Sequence, residues 1–223
     1  MNLQGLKINF LGDSITEGFG TSGDENIFHQ VLKAQAGLAA ARNYGIGGTR
    51  YAVQKNNGNP SWNSDTDLNS FCERFDRMDD DADAVVVFGG TNDYGHGNAA
   101  IGCFSDRTPD TFYGACHYLY SNLIKKYVGG KTIVIMTPLH RSNEFNNNNY
   151  YNEQHSRKLK DYVAIIREVA EYYSLPVLDL YAISGMQPEV QEIKEKYMTD
   201  GLHPNNAGHI IIADKLKHFM ENL

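Results

Sequence analysis

Short apolar runs alternate along this chain with longer segments of helical period. Ile8-Asn9-Phe10-Leu11 stops at Gly12-Asp13-Ser14, and Ala84-Val85-Val86-Val87-Phe88 stops at Gly89-Gly90-Thr91-Asn92-Asp93. Thr132-Ile133-Val134-Ile135-Met136 stops at Thr137-Pro138, and Val177-Leu178-Asp179-Leu180 follows Pro176. Runs rich in β-branched residues and bounded by Gly, Pro or Asp read as buried parallel strands. A fifth, weaker strand falls at Arg42-Asn43-Tyr44-Gly45.

The intervening segments carry apolar residues at helical spacing. Leu159, Tyr162, Val163, Ile166, Val169 and Tyr173 form one stripe. Phe112, Ala115, Leu119, Leu123 and Tyr127 form another, with Asp110 as its expected N-cap. Residues 27–40, rich in Ala and Leu, read as a helix, and Ile212, Leu216, Phe219 and Leu223 line a terminal one. The alternation predicts an α/β fold: a three-layer α/β/α sandwich on a mainly parallel, flavodoxin-like five-stranded sheet. No internal repeat or second core interrupts it, so residues 1–223 are expected to form a single domain. Ligands of such folds sit beyond the carboxyl ends of the strands. Long irregular stretches at 94–109 and 140–152 leave that end directly, and one at 50–67 follows it by a few residues.

Composition narrows the function classes. A chain of 223 residues, 41% hydrophobic and 21% charged, is a folded globular protein rather than a disordered one. Its net charge of -7 repels polyphosphate and anionic lipid surfaces, so no nucleic-acid partner is expected. No apolar run approaches the roughly 18 residues of a membrane span, so no membrane insertion is expected either. Cys72, Cys103 and Cys116 include no C-x-x-C pair and signal neither a thiolate zinc site nor a dithiol redox centre. The first residues lack the apolar core of a secretory leader, which makes the cytoplasm the default compartment; a secreted chain already trimmed would read the same.

Four segments could do chemistry. Ser14 follows the first strand directly, where a strand-to-helix turn exposes its oxygen and leaves backbone N–H groups for an oxyanion. The plainer reading is that Asp13 and Ser14 cap a helix. Asp200-Gly201-Leu202-His203 precedes the last helix; histidine is the natural base near neutral pH, and a carboxylate on its other nitrogen fixes its tautomer. The alternative there is a turn leading into a Pro-initiated helix. Gly90-Thr91-Asn92-Asp93 would present the Asn92 amide at the sheet edge, and Gly45-Ile46-Gly47-Gly48-Thr49 would let a backbone N–H approach a substrate, unless both are ordinary glycine turns.

Taken in order, these segments resemble the four blocks of the SGNH hydrolase superfamily, the GDSL esterases and lipases. Gly12-Asp13-Ser14 matches the first block, Gly48 the second-block glycine (with Gly47 a rival), Gly90-Thr91-Asn92-Asp93 the third, and Asp200 to His203 the fourth. Ile15 stands where the family nickname has Leu, an exchange between apolar residues. The resemblance implies a serine esterase. Ser14 would be the nucleophile, His203 the base and Asp200 its orienting acid. The oxyanion donors would be the Ser14 and Gly48 backbone N–H groups and the Asn92 amide. It implies no metal and no organic cofactor, and gives Asp13 and Asp93 the work of organising turns. The expected substrate is a small-molecule or glycan ester with a short acyl group on a polar alcohol; lysophospholipase or lipase action on longer chains is the alternative.

Two other classes compete. A metal-dependent phosphoesterase could draw ligands from Asp13, Asp93, Asp200 and His203. A non-catalytic nucleotide-binding domain would use the glycines at 45–48, but Arg50 occupies the last position of G-x-G-x-x-G. Tyr94, His96, His140 and Arg141 follow strands that end at the site and are candidate substrate contacts, as is Trp62 in the first long loop. His29, His117 and His155 are expected on helix surfaces, and His218 as a solvated side chain near a helix end.

Overall fold

The computed structural model describes residues 1–54, 70–145 and 157–223. Strand β1 (Lys7–Gly12) runs into a single helical turn, α1 (Ser14–Glu17), and after a 3₁₀ turn into α2 (Phe28–Ala36) and β2 (Ala40–Gly45). Next come α3 (Phe71–Arg74), β3 (Ala84–Phe88), α4 (Thr91–His96), α5 (Phe112–Lys126) and β4 (Thr132–Met136). The last third holds α6 (Leu159–Tyr172), β5 (Val177–Leu178), α7 (Leu180–Ile183), α8 (Gln191–Tyr197) and α9 (Asn206–Glu221). The sheet order is β2-β1-β3-β4-β5, and every pairing is parallel.

Strand alternation divides the core into two layers. Leu11, Val85, Val87, Ile133 and Ile135 face α3, α5 and α6. Ile8, Phe10, Val86, Phe88, Val134 and Met136 face α2 and α9. A sheet covered on both faces needs apolar side chains in both registers, which is why these runs are nearly continuous. The result is the expected three-layer α/β/α sandwich. Asn9 is the buried polar residue of β1, and its amide donates to the Asp79 carbonyl and the Tyr127 hydroxyl. Gly12 pairs with Gly45 on one side and Phe88 on the other, so the ends of β1, β2 and β3 lie level. The chain reverses its direction across the sheet at β1, and this switch point opens a crevice at that edge.

Several boundaries differ from the sequence expectation. The helix read at 27–40 stops at Ala36, because Gly37 takes φ 67° and its N–H closes on the Lys33 carbonyl; β2 then starts at Ala40. Helix α5 is capped by Thr111, whose hydroxyl accepts from the Gly114 N–H, whereas Asp110 accepts from the Thr108 hydroxyl. Helix α8 had no sequence signal because it buries none of its residues and so carries no apolar stripe. His29 and His117 are buried rather than exposed, His218 is exposed, and His155 lies outside the described residues. Among the described residues, no helix is long and apolar enough to cross a membrane.

Candidate active site

Side-chain-free packing sets the serine turn on the strand ends. A β-carbon on Gly12 would lie 2.0 Å from Thr16 Oγ1 and 2.8 Å from the Phe88 carbonyl oxygen. One on Gly45 would lie 2.2 Å from the Glu17 nitrogen. Helix α1 is thereby seated against β1 and β2. The Asp13 carboxylate caps it by accepting from the Ile15 N–H at 3.0 Å. Gly12 thus makes room for Thr16, and Gly90, at φ 105°, lies against Ile166 and Pro138.

The second segment is a tight loop between α8 and α9. Met198 and Pro204 form an antiparallel bridge, and the Asn205 side chain caps α9 by accepting from the Ala207 and Gly208 N–H groups. Within the loop, Asp200 Oδ1 accepts from the Leu202 and His203 N–H groups at 2.9 and 2.8 Å. Its Oδ2 lies 2.7 Å from His203 Nδ1, and His203 Nε2 lies 2.9 Å from Ser14 Oγ. Partial burial alone would raise the Asp200 pKa, but these hydrogen bonds to the charged form outweigh it and hold the carboxyl below its ordinary range. The Phe19 ring sits 4.4 Å from the His203 ring, centre to centre, while the Phe19 N–H donates to the Ser14 carbonyl at 2.9 Å. One residue thus touches both halves of the pair.

Three candidate donors lie on segments that follow the carboxyl ends of β1, β2 and β3. The Ser14 N–H, at the first position of α1, and the Gly48 N–H, at φ 75°, donate to no group among the described residues. The Asn92 amide donates one N–H to the Thr49 carbonyl at 3.0 Å and retains a second. Gly47, the rival to Gly48, packs against Glu17: a β-carbon there would meet Glu17 Oε2 at 2.8 Å.

Two residues brace the segments that carry these donors: Arg74, invisible to the sequence reading, and Asp93, expected to organise a turn. Arg74 is buried and donates to the Gly12 and Tyr44 carbonyls and, at 3.0 Å, to the Thr49 hydroxyl. It ties the ends of β1 and β2 to the 46–49 loop, and burial lowers its pKa to about 10. Asp93 accepts from the Tyr51 and Ala52 N–H groups at 2.9 and 3.0 Å and fixes the chain leaving that loop. Burial pushes the Asp93 carboxyl up to about 6 and, helped by Asp93, pushes Asp13 up to about 7. No motif marks Arg74; its role follows from a meeting of segments 62 positions apart.

The expected substrate contacts reach this edge but are engaged by the protein. Tyr94 is 2% exposed and donates its hydroxyl to the Asn143 carbonyl, so it braces the loop after β4 rather than lining a cleft. Arg141 donates to the Thr91 carbonyl and hydroxyl and lies over the Tyr94 ring. His140 stacks on Tyr181 and pairs through Nδ1 with the buried Glu144 at 2.9 Å. His96 lies behind Asn92, 3.1 Å from its Oδ1. Trp62 lies outside the described residues. The phosphoesterase reading fares poorly on geometry: Asp13 and Asp93 turn oxygens to backbone amides, and no three His, Cys, Asp or Glu converge among the described residues. Arg50, in the nucleotide-binding alternative, is buried behind its loop.

A parallel α/β/α sandwich with a Ser–His–Asp line at the switch point defines a class, the serine hydrolases of the flavodoxin-like type. The chain belongs to the GDSL-like lipase/acylhydrolase family, whose model matches residues 10–211, and it is a carboxylic ester hydrolase. One solved structure is 33% identical, with a TM-score of 0.84, over 100% of this chain and 99% of its own. A protein from Lactobacillus plantarum is 28% identical, with a TM-score of 0.82, over 98% of each chain. An acetyl xylan esterase shares the fold at 21% identity and a TM-score of 0.61, over 95% of this chain and 98% of its own. No curated protein matches the chain.

Proposed function

We propose that the protein hydrolyses esters through an acyl-enzyme on Ser14, with short acyl groups on a polar alcohol such as a sugar as the preferred substrates. The reading is carried by the continuous line from Ser14 Oγ to His203 Nε2 (2.9 Å) and from His203 Nδ1 to Asp200 Oδ2 (2.7 Å). Ser14 Oγ attacks the carbonyl carbon as its proton passes to His203 Nε2. Asp200 holds the Nδ1 proton, which keeps Nε2 free to accept and stabilises the imidazolium that forms. The oxyanion is received by the Ser14 and Gly48 N–H groups and the second N–H of Asn92. Each such donor is worth about 3 kcal/mol in the transition state. The alcohol leaves with the proton from His203, water attacks the acyl-enzyme with the same base, and Ser14 is restored.

The net charge of -7 disfavours anionic lipid substrates, and the fold is shared with an acetyl xylan esterase; both support the short-acyl preference. A longer-chain acyl hydrolase is the second reading, favoured by the exposure of Phe19 (57%) and Ile46 (37%) beside the serine turn. Aryl esters of increasing acyl length, assayed alongside acetylated sugars, separate the two: highest kcat/KM on acetyl groups supports the first and on long chains the second. Ser14→Ala is expected to abolish turnover with the fold retained. Undiminished hydrolysis by that variant would overturn the mechanism.

A further inference from the structure

Asn92 and His96 lie four residues apart on α4 and share one face of it. The hydrogen bonds around them admit a single arrangement of protons. A guanidinium has donors only, so Arg50 Nη1, 2.7 Å from His96 Nδ1, makes that ring nitrogen the acceptor. The ring proton then sits on Nε2 and is donated to Asn92 Oδ1 at 3.1 Å. A backbone carbonyl only accepts, so the Asn92 Nδ2 group must be the one facing Thr49, at 3.0 Å. Each assignment requires the next. Burial first, and then the charges of Arg50 and Arg141, lower the His96 pKa to about 4, so the ring is neutral at neutral pH.

We propose that His96 is a positioning residue: it locks the Asn92 amide with its N–H groups toward the developing oxyanion and links that amide to the charge of Arg50. The proposal rests on the assignment of Asn92 to the oxyanion hole. An asparagine amide is nearly symmetric in shape, and this one is held from both ends, by the Thr49 carbonyl on Nδ2 and His96 on Oδ1; without His96 only the Thr49 bond opposes a rotation that would aim the N–H away from the oxyanion. The ring also connects a guanidinium to the amide through polarised hydrogen bonds, which strengthens the donor while keeping a bare cation out of the site.

A double-variant cycle on aryl acetate hydrolysis tests this. Asn92→Ala is expected to lower kcat about 100-fold. His96→Ala should lower kcat about tenfold with KM held within about twofold, because the loss falls on the transition state. In the Asn92→Ala background, His96→Ala should cost nothing more. His96→Gln, which keeps an acceptor and a donor on one side chain, should recover most of the rate. A loss that multiplies in full in the double variant, or one confined to KM, overturns the relay. Wild-type kcat in Asn92→Ala overturns the oxyanion assignment itself and the relay with it, whereas a slow Asn92→Ala beside a normal His96→Ala overturns the relay alone. Heteronuclear NMR of the His96 ring in the unaltered protein needs no folded variant: the Nε2–H tautomer is expected, and an Nδ1–H tautomer overturns the proposal.

Discussion

Gly201 and Ser142 meet so closely that a β-carbon on Gly201 would sit 2.2 Å from the Ser142 hydroxyl oxygen. The Ser142 N–H also donates to the Gly201 carbonyl at 2.8 Å, so the loop after β4 is pinned to the loop that carries Asp200 and His203. Gly201 takes φ 84°, a left-handed conformation costing other residues about 1–2 kcal/mol. Gly201→Ala is therefore expected to push the Asp200–His203 loop away from Ser14 and lower kcat by at least about tenfold. Adding Ser142→Gly removes the clash but leaves the strain, so activity should return in part. Steady-state kinetics on the two variants checks both steps.

Arg74 bridges the ends of two strands and the 46–49 loop. Arg74→Met would leave the Gly12 and Tyr44 carbonyls and the Thr49 hydroxyl without this donor, a loss of at least about 3 kcal/mol at roughly 1 kcal/mol or more per group. Both Tm and kcat should fall. Arg74→Lys should recover the charge but little of the activity, since one ammonium cannot reproduce the planar fork. Urea denaturation and kinetics on the pair separate charge from geometry.

Asp13 makes stability depend on pH in the direction opposite to a salt-bridged carboxylate. Its pKa rises from 3.8 unfolded to about 7 folded, mainly through burial. Both states are protonated well below pH 3.8. As pH rises from there to about 7, the unfolded chain ionises first, and stability is lost across that window. Asp13→Asn keeps an acceptor for the Ile15 N–H and cannot ionise. It should be more stable than the parent at pH 8 by on the order of 4 kcal/mol, with the difference shrinking toward pH 4. Denaturation curves at several pH values read this directly; a pH-independent difference would contradict it.

His29 and His209 act on the acid side. Burial lowers each from 6.5 to about 4, so the unfolded chain takes up protons first as pH falls. Stability contributed by the neutral rings is thus lost from about pH 6.5 down to about 4. His29→Gln can still donate to the Thr16 carbonyl that His29 Nε2 meets at 3.1 Å. Its Tm should fall less than the parent's between pH 7 and pH 4.5.

The strands, Ser14, Asn92, Asp200 and His203 were legible because each is announced by its immediate neighbours: an apolar run and then a turn. Arg74 and His209 were not, because nothing near them in the chain signals what they meet. Arg74 faces Gly12 across 62 positions, and His209 Nδ1 accepts from the Phe28 N–H across 181. Periodicity identifies the apolar face of a helix but not a polar residue that other segments satisfy, as with buried His29 and His117. Tyr94 and His96 were expected as substrate contacts; in the structure they bond Asn143 and Arg50, partners that local pattern cannot supply.

Ser14 and His203 are 189 positions apart. On the roles proposed here, the nucleophile is synthesised well before its base. Until that base is in place, Ser14 is an ordinary, unreactive hydroxyl. It gains its base only when the loop between α8 and α9 docks against a completed sheet edge, so hydrolysis reports on folding of the entire sheet, and a partly folded chain carries no activated nucleophile.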